Sequence, residues 1–332
     1  MQLLDVLLAR RRIAPYVRRT PLVRSSWLSD LSGAEVWLKL ESTQHSHSFK
    51  WRGAFNAVIA RLERGTPKLA RLVTASAGNH GRALAAAAET FGLPLTVFTP
   101  ADAPRVKLAA IARHGAELRA DSRDYDEAER RAKAFAGETG AAFISPYSDA
   151  DVIAGAATAA LEIFEDAADT DLLVVPIGGG GLISGAAAVA KAVGAGCHVV
   201  GVEVEVSCAF LTSVRAGKLV EIVPGASLAD GLGGNPDPDT ITFEPIQRLV
   251  DQLVTVSEKD LEDALVGLVT ADHVIAEGAG AAAPAALVGK RVKVAGRRVA
   301  VIVSGANIDR ERLVEVLRDD DQTIDGSRSE GA

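Results

Sequence analysis

Apolar residues along this chain switch between two rhythms. The runs Val36–Leu40, Leu72–Thr74, Leu95–Thr99, Ala142–Ser145, Leu172–Ile177, His198–Val202 and Arg298–Ser304 are short and mostly rich in β-branched residues, as strands buried on both faces are. Between them, Ala-rich stretches with apolar residues at helical spacing predict helices over His80–Phe91, Arg105–His114, Tyr125–Thr139, Val152–Glu165 and Leu182–Val193. A further helix opens near Lys50. Strands alternating with helices across short Gly-rich joints predict an α/β protein with parallel sheets covered by helices.

Composition narrows what such a fold serves. A chain of 332 residues that is 48% hydrophobic and 24% charged is long enough for a large core and two lobes. It carries 36 basic against 43 acidic residues, a net charge of −7, so neither nucleic acid nor an anionic membrane is an expected partner. Small molecules fit better. Cys197 and Cys208 form no disulfide framework and no metal-ligand spacing, which points to a reducing cytoplasm. In the opening MQLLDVLLARRR the apolar run precedes the positive charges, the reverse of a secretory signal. No stretch reaches the roughly 20 uninterrupted apolar residues needed to span a bilayer. Residues 319–332 are polar and aperiodic and read as a disordered tail.

Three loops stand at predicted strand ends. In Val174-Val-Pro-Ile-Gly-Gly-Gly-Gly-Leu-Ile-Ser-Gly185 a strand runs into Gly178, Gly179, Gly180 and Gly181 before a helix, so backbone N–H groups can converge on an anion beside the helix's positive end. This reads as a phosphate cup, with a flexible connector as the plainer alternative. The glycines lack the one-three-six spacing of a dinucleotide fingerprint, although Glu203 stands about where a ribose-binding acid would, so a dinucleotide-dependent oxidoreductase remains a second reading. The loop Thr74-Ala-Ser-Ala-Gly-Asn-His-Gly81 suits a carboxylate or a phenolic oxygen, while Ser76 or Asn79 could simply cap the next helix. His80 is open to a general-base reading and to a structural one. The loop Ser304-Gly-Ala-Asn-Ile-Asp309 follows the last strand, and loops at the carboxyl ends of such strands share a crevice.

Taken with Ser48-Phe-Lys50 and Arg52-Gly-Ala54, these loops resemble the fold type II pyridoxal-phosphate enzymes of the threonine and serine dehydratase and serine racemase family. Ala229-Asp-Gly231, Glu277-Gly-Ala-Gly280 and Ser304-Gly-Ala-Asn307 complete six motifs in family order between about residues 10 and 317. The resemblance implies two domains like those of the tryptophan synthase β chain, each a mostly parallel twisted sheet covered by helices. The larger takes residues 1–60 and 148–318 and binds the cofactor; the smaller takes 61–147.

It also implies roles. Lys50 is the Schiff-base lysine, an amine that must be kept nucleophilic by burial or by nearby positive ends. Phe49 packs on the cofactor ring, Asn79 hydrogen-bonds its 3′ oxygen, Gly178 to Gly181 and Leu182 hold its phosphate, and Ser304 faces the pyridine nitrogen. Ser76, Ala77, Gly78, Asn79 and His80 take the substrate carboxylate. The implied reaction is β-elimination from a hydroxy amino acid such as L-threonine or L-serine, giving a 2-keto acid and ammonia. Lys50 takes the α proton and the β-hydroxide leaves, protonated by the cofactor phosphate.

Departures from the family set the subtype. Ala77 replaces the serine that serves racemases on the face opposite the lysine, which favours a dehydratase over an amino-acid racemase. Ala209 stands where some members have an acidic metal ligand, so no metal is expected. Ala306, Ala156-Ala157, His45 and Ser46 also differ, and 3-hydroxyaspartate or a hydroxyectoine derivative remain alternative substrates. Little chain follows the last helix, so feedback by isoleucine through a C-terminal regulatory domain is not expected. A homodimer is expected from the family, and a non-catalytic binding protein that kept the fold is the remaining alternative.

Overall fold

The computed structural model describes residues 1–65, 70–194 and 196–318. The expected disordered tail, 319–332, lies outside the described residues. In chain order the strands are β1 (Leu22–Arg24), β2 (Glu35–Leu40), β3 (Leu72–Ala75), β4 (Leu95–Pro100), β5 (Glu117–Ser122), β6 (Ala142–Phe143), β7 (Leu172–Pro176), β8 (His198–Val204), β9 (Gln252–Val256) and β10 (Arg298–Val303). They form a six-stranded sheet in the order β1-β2-β10-β7-β8-β9 and a four-stranded sheet in the order β5-β4-β3-β6. Every pairing is parallel except that of β1 with β2.

The β-branched runs become central strands because both their faces are covered. On β10, Val299, Val301 and Val303 pack into one apolar cluster and Ala300 and Ile302 into the other. On β7, Leu172 and Val174 go with the first cluster and Leu173 and Val175 with the second. Alternate residues of a strand point to opposite faces, so a strand buried on both sides has no polar positions to spare. The smaller sheet has the opposite problem at β5. Its sequence ELRADS is polar and partly exposed at an edge, which explains why the hydrophobic pattern leaves it unpredicted. The short strands β1 and β9 are likewise absent from that pattern, and β6 is shorter than the predicted Ala142–Ser145.

Three helices on one side of the larger sheet meet almost backbone to backbone. A Cβ added at Gly53 in helix Lys50–Glu63 would lie 2.8 Å from the Val152 carbonyl oxygen, and one at Gly155 in helix Ala150–Asp166 would lie 2.5 Å from that of Arg52. At Gly185 in helix Gly181–Val193 it would lie 2.9 Å from the Ile153 carbonyl oxygen. Glycine is needed at all three crossings.

A buried charge cluster reinforces the first crossing. Arg52 donates through Nε and Nη2 to the two Glu41 oxygens at 2.8 Å each, and through Nη1 and Nη2 to Glu162 at 2.7 and 2.8 Å. Lys39 Nζ donates to Glu162 at 2.6 Å and Thr20 Oγ1 to Glu41 at 2.5 Å. Two cations face two carboxylates, and the geometry satisfies the forked guanidinium on both sides, as burial of such charges requires.

Candidate active site

Lys50 is the first residue of its helix, and no side chain caps that helix. It is half-buried, and its Nζ donates to the Pro146 carbonyl oxygen at 2.8 Å and lies 5.0 Å from the centre of the Phe49 ring. Loss of water around the ammonium lowers its pKa to about 8, against the pull of the Glu277 carboxylate, which raises it. An appreciable fraction is therefore free amine near neutral pH, which is what a nucleophilic lysine needs.

The segment that receives the Lys50 hydrogen bond also shapes the glycine loop. Tyr147 follows Pro146, and its ring fills the place a side chain at Gly179 would take. Its carbonyl oxygen lies 2.9 Å from where a Cβ on Gly181 would stand. Gly180 has φ +86°, and a Cβ there would stand 2.7 Å from Ile246 Cδ1 and 2.9 Å from Phe210. Helix Gly181–Val193 begins buried at Gly181, Leu182 and Ile183 with no side-chain cap, so its first N–H groups are left for an anion. Tight packing on every side removes the flexible-connector alternative. An uncapped, buried helix start behind a close-packed glycine turn fits a phosphate group, and the desolvated amine of Lys50 fits an aldehyde.

The second loop divides its duties. Ser76 Oγ accepts from the N–H groups of Gly78 at 3.2 Å and Gly81 at 3.0 Å, so Ser76 does cap helix Asn79–Thr90 from two residues upstream of its N-cap, Gly78. Asn79 does not cap the helix: its Nδ2 donates to Glu277 Oε1 at 2.7 Å, and its Oδ1 accepts from Asn307 Nδ2 at 2.6 Å. Ala77, Gly78 and Asn79 are half-buried at this turn. His80 is buried, and burial first and the charge of Lys50 second lower its pKa to about 3. Neither of its ring nitrogens has a hydrogen-bond partner among the described residues. A ring held neutral so strongly is a poor proton acceptor, which argues against the general-base reading.

The third loop supplies Ser304, which is buried and donates through Oγ to the Ala279 carbonyl oxygen at 3.2 Å. Asn307 Nδ2 also donates to the Ser46 carbonyl oxygen at 2.9 Å, so the Lys50, Asn79 and Ser304 loops interlock. Burial pushes the Glu277 carboxyl up to about 7 despite its bond from Asn79. Glu203 serves differently from either sequence reading. Its two oxygens accept from the N–H groups of Phe210 at 2.9 Å and Leu211 at 2.7 Å, where they complete the start of helix Ala209–Ala216.

The residues that sequence reasoning passed over are Pro146 and Tyr147, and with them the hydrogen-bonding part played by Glu277. The only signal for the first two was their place just past a predicted strand end.

Comparison with known proteins agrees with this geometry. Residues 13–305 match the family profile described as pyridoxal-phosphate dependent enzyme. The chain is 40% identical over 313 residues to an L-threonine ammonia-lyase of Thermotoga maritima, covering 94% of this chain and 77% of that protein. It is 36% identical over 322 residues to an L-threo-3-hydroxyaspartate ammonia-lyase of Saccharomyces cerevisiae, covering 96% and 98%. The solved structure of maize serine racemase superposes with a TM-score of 0.88 at 30% identity over 97% of this chain and 98% of that one. No dinucleotide is needed to explain the glycine loop, and the oxidoreductase reading falls. With a family match across most of its length and a lysine and a glycine cradle that fit the cofactor, this chain belongs to the pyridoxal-phosphate dependent enzymes.

Proposed function

We propose that the protein converts a 2-amino-3-hydroxy acid, the class that includes L-threonine and L-serine, to a 2-keto acid and ammonia. The observation that carries this reading is the pairing of the Lys50 amine with the uncapped glycine turn through one short segment, Pro146-Tyr147. When bound, pyridoxal phosphate supplies an aldehyde for an amine and a ring that accepts the electron pair left at the substrate α carbon.

The side chains then divide the work. Gly178 to Gly181 and Leu182 hold the phosphate, Phe49 flanks the ring, Asn79 lies at its 3′ oxygen and Ser304 at its nitrogen. Serine keeps no proton on that nitrogen as a carboxylate would, which suits elimination. The turn Ser76–His80 takes the α-carboxylate on its N–H groups, and Lys50 Nζ removes the α proton as the β-hydroxyl departs. Ala77 offers no proton on the opposite face, which favours elimination over racemisation. Holding carboxylate and phosphate at two fixed backbone sites orients the α C–H bond towards one amine.

We further take the chain as two domains, 1–60 with 148–318 and 61–147, assembled as a cytoplasmic homodimer that needs no metal. Keto-acid release from L-threonine, L-serine and their D forms tests the reaction. L-serine turning to D-serine faster than to pyruvate would overturn the use made of Ala77.

A further inference from the structure

We propose that Arg82 recognises a second carboxylate on the substrate, so that the preferred hydroxy amino acid is a 3-hydroxy dicarboxylate. This rests on the reaction proposed above and names its substrate class.

Arg82 lies three residues beyond Asn79 on helix Asn79–Thr90, on the same side of that helix. Its Nη1 donates to Asn307 Oδ1 at 2.9 Å, while the Asn307 amide nitrogen serves Asn79 and Ser46. The guanidinium is thus two hydrogen bonds from the side chain placed beside the cofactor, and it spans from the smaller sheet's helix to the loop after β10. Only one of its five N–H donors is engaged by a side chain.

Arg82 is half-buried and, among the described residues, has no carboxylate partner. The one charge acting on it is that of Arg113, also positive, and together with burial this lowers its pKa. Other cations between the two sheets are neutralised: Lys107 pairs with Asp230 at 2.6 Å, Lys133 pairs with Asp237, and Arg52 faces two glutamates. Glu277 is held by Asn79 and not by Arg82. A partly dehydrated guanidinium without a counter-charge is costly unless a ligand supplies one, and its fork matches a carboxylate in two-pronged geometry. A methyl or hydrogen at the substrate's far end, as in threonine or serine, leaves this need unmet.

The test uses the holoenzyme in two arms. In the first, kcat/KM is measured for threo-3-hydroxyaspartate and for L-threonine in the wild type, Arg82→Gln and Arg82→Lys. The wild type is expected to favour the dicarboxylate by about tenfold or more, and Arg82→Gln to collapse that ratio by about tenfold, mostly through KM, with Arg82→Lys between them. A wild type that prefers threonine, or a ratio that Arg82→Gln does not move, overturns the inference while leaving the elimination chemistry intact. In the second arm, succinate, propionate and inorganic phosphate are titrated calorimetrically. Succinate binding that weakens in Arg82→Gln supports the subsite even if no substrate releases ammonia, the result that would fail the reaction itself. Succinate binding that is unchanged in Arg82→Gln, or phosphate binding more tightly than succinate through Arg82, overturns it.

Discussion

Lys50 Nζ donates to the Pro146 carbonyl oxygen at 2.8 Å, which ties the proposed nucleophile to the residue that precedes the wall of the glycine cradle. The bond holds the amine in a place where water is scarce, and the pKa falls to about 8 mainly for that reason. Below that pH the group is mostly ammonium and cannot attack an aldehyde. Capture of pyridoxal phosphate by the cofactor-free protein should therefore speed up roughly tenfold between pH 6.5 and 8. Stopped-flow absorbance measures this directly, and a rate that falls as pH rises would be inconsistent with the assignment.

The same lowered pKa acts on stability. The unfolded lysine binds its proton up to its ordinary range while the folded one releases it near 8, so between these values the unfolded chain holds more protons and stability rises with pH. The cofactor-free protein should gain melting temperature from pH 8 to pH 10, and Lys50→Met should be more stable than the wild type at pH 7. Calorimetry on both proteins checks the pair of expectations.

Gly179 faces the Tyr147 ring so closely that an added methyl cannot fit. Gly179→Ala should cost on the order of 2 kcal/mol in urea unfolding and weaken cofactor retention as the cradle shifts. Trimming the ring in Gly179→Ala/Tyr147→Ala should return part of the lost cofactor affinity, which a purely local strain at the glycine would not.

Arg52 is fully buried between Glu41 and Glu162. Removing it leaves two carboxylates in an apolar interior beside a single lysine, so Arg52→Met should destabilise by about 3–5 kcal/mol. Adding Glu41→Gln to it should cost less than the sum of the two single changes, a coupling that a double-mutant cycle reads.

His47 sits at φ +58°, a left-handed conformation that glycine adopts more easily, and its Nδ1 lies 3.3 Å from the Ser42 carbonyl oxygen. His47→Gly should stabilise the protein by up to about 1 kcal/mol if relief of that backbone outweighs the lost contact, measured by thermal unfolding.

How much of this was readable beforehand depended on the range of the interactions. β7 and β10 announce themselves because a strand buried on both faces has a strictly apolar local sequence. β5 does not, because an edge strand can be polar and still pair. The glycine run and the lysine motif are local too, and their motifs pointed to the family. Arg52 was visible only as one letter of a motif, since its partners lie 11 and 110 residues away in sequence. Glu203 invited a ligand reading because an acid at a strand end can bind ribose, a metal or a helix start, and only the fold shows which N–H groups face it. Tyr147 gave no sign of its part, because what it does is fill the space that Gly179 leaves.

The central claim is that the cofactor is carried by Lys50 and no other amine. Reduction of the freshly purified, cofactor-supplemented protein with borohydride, followed by peptide mass spectrometry, tests it most directly. The account predicts a pyridoxyl phosphate mass on the peptide containing Lys50 and on no other lysine. An unmodified Lys50 in folded protein, or the label on a different lysine, would contradict it.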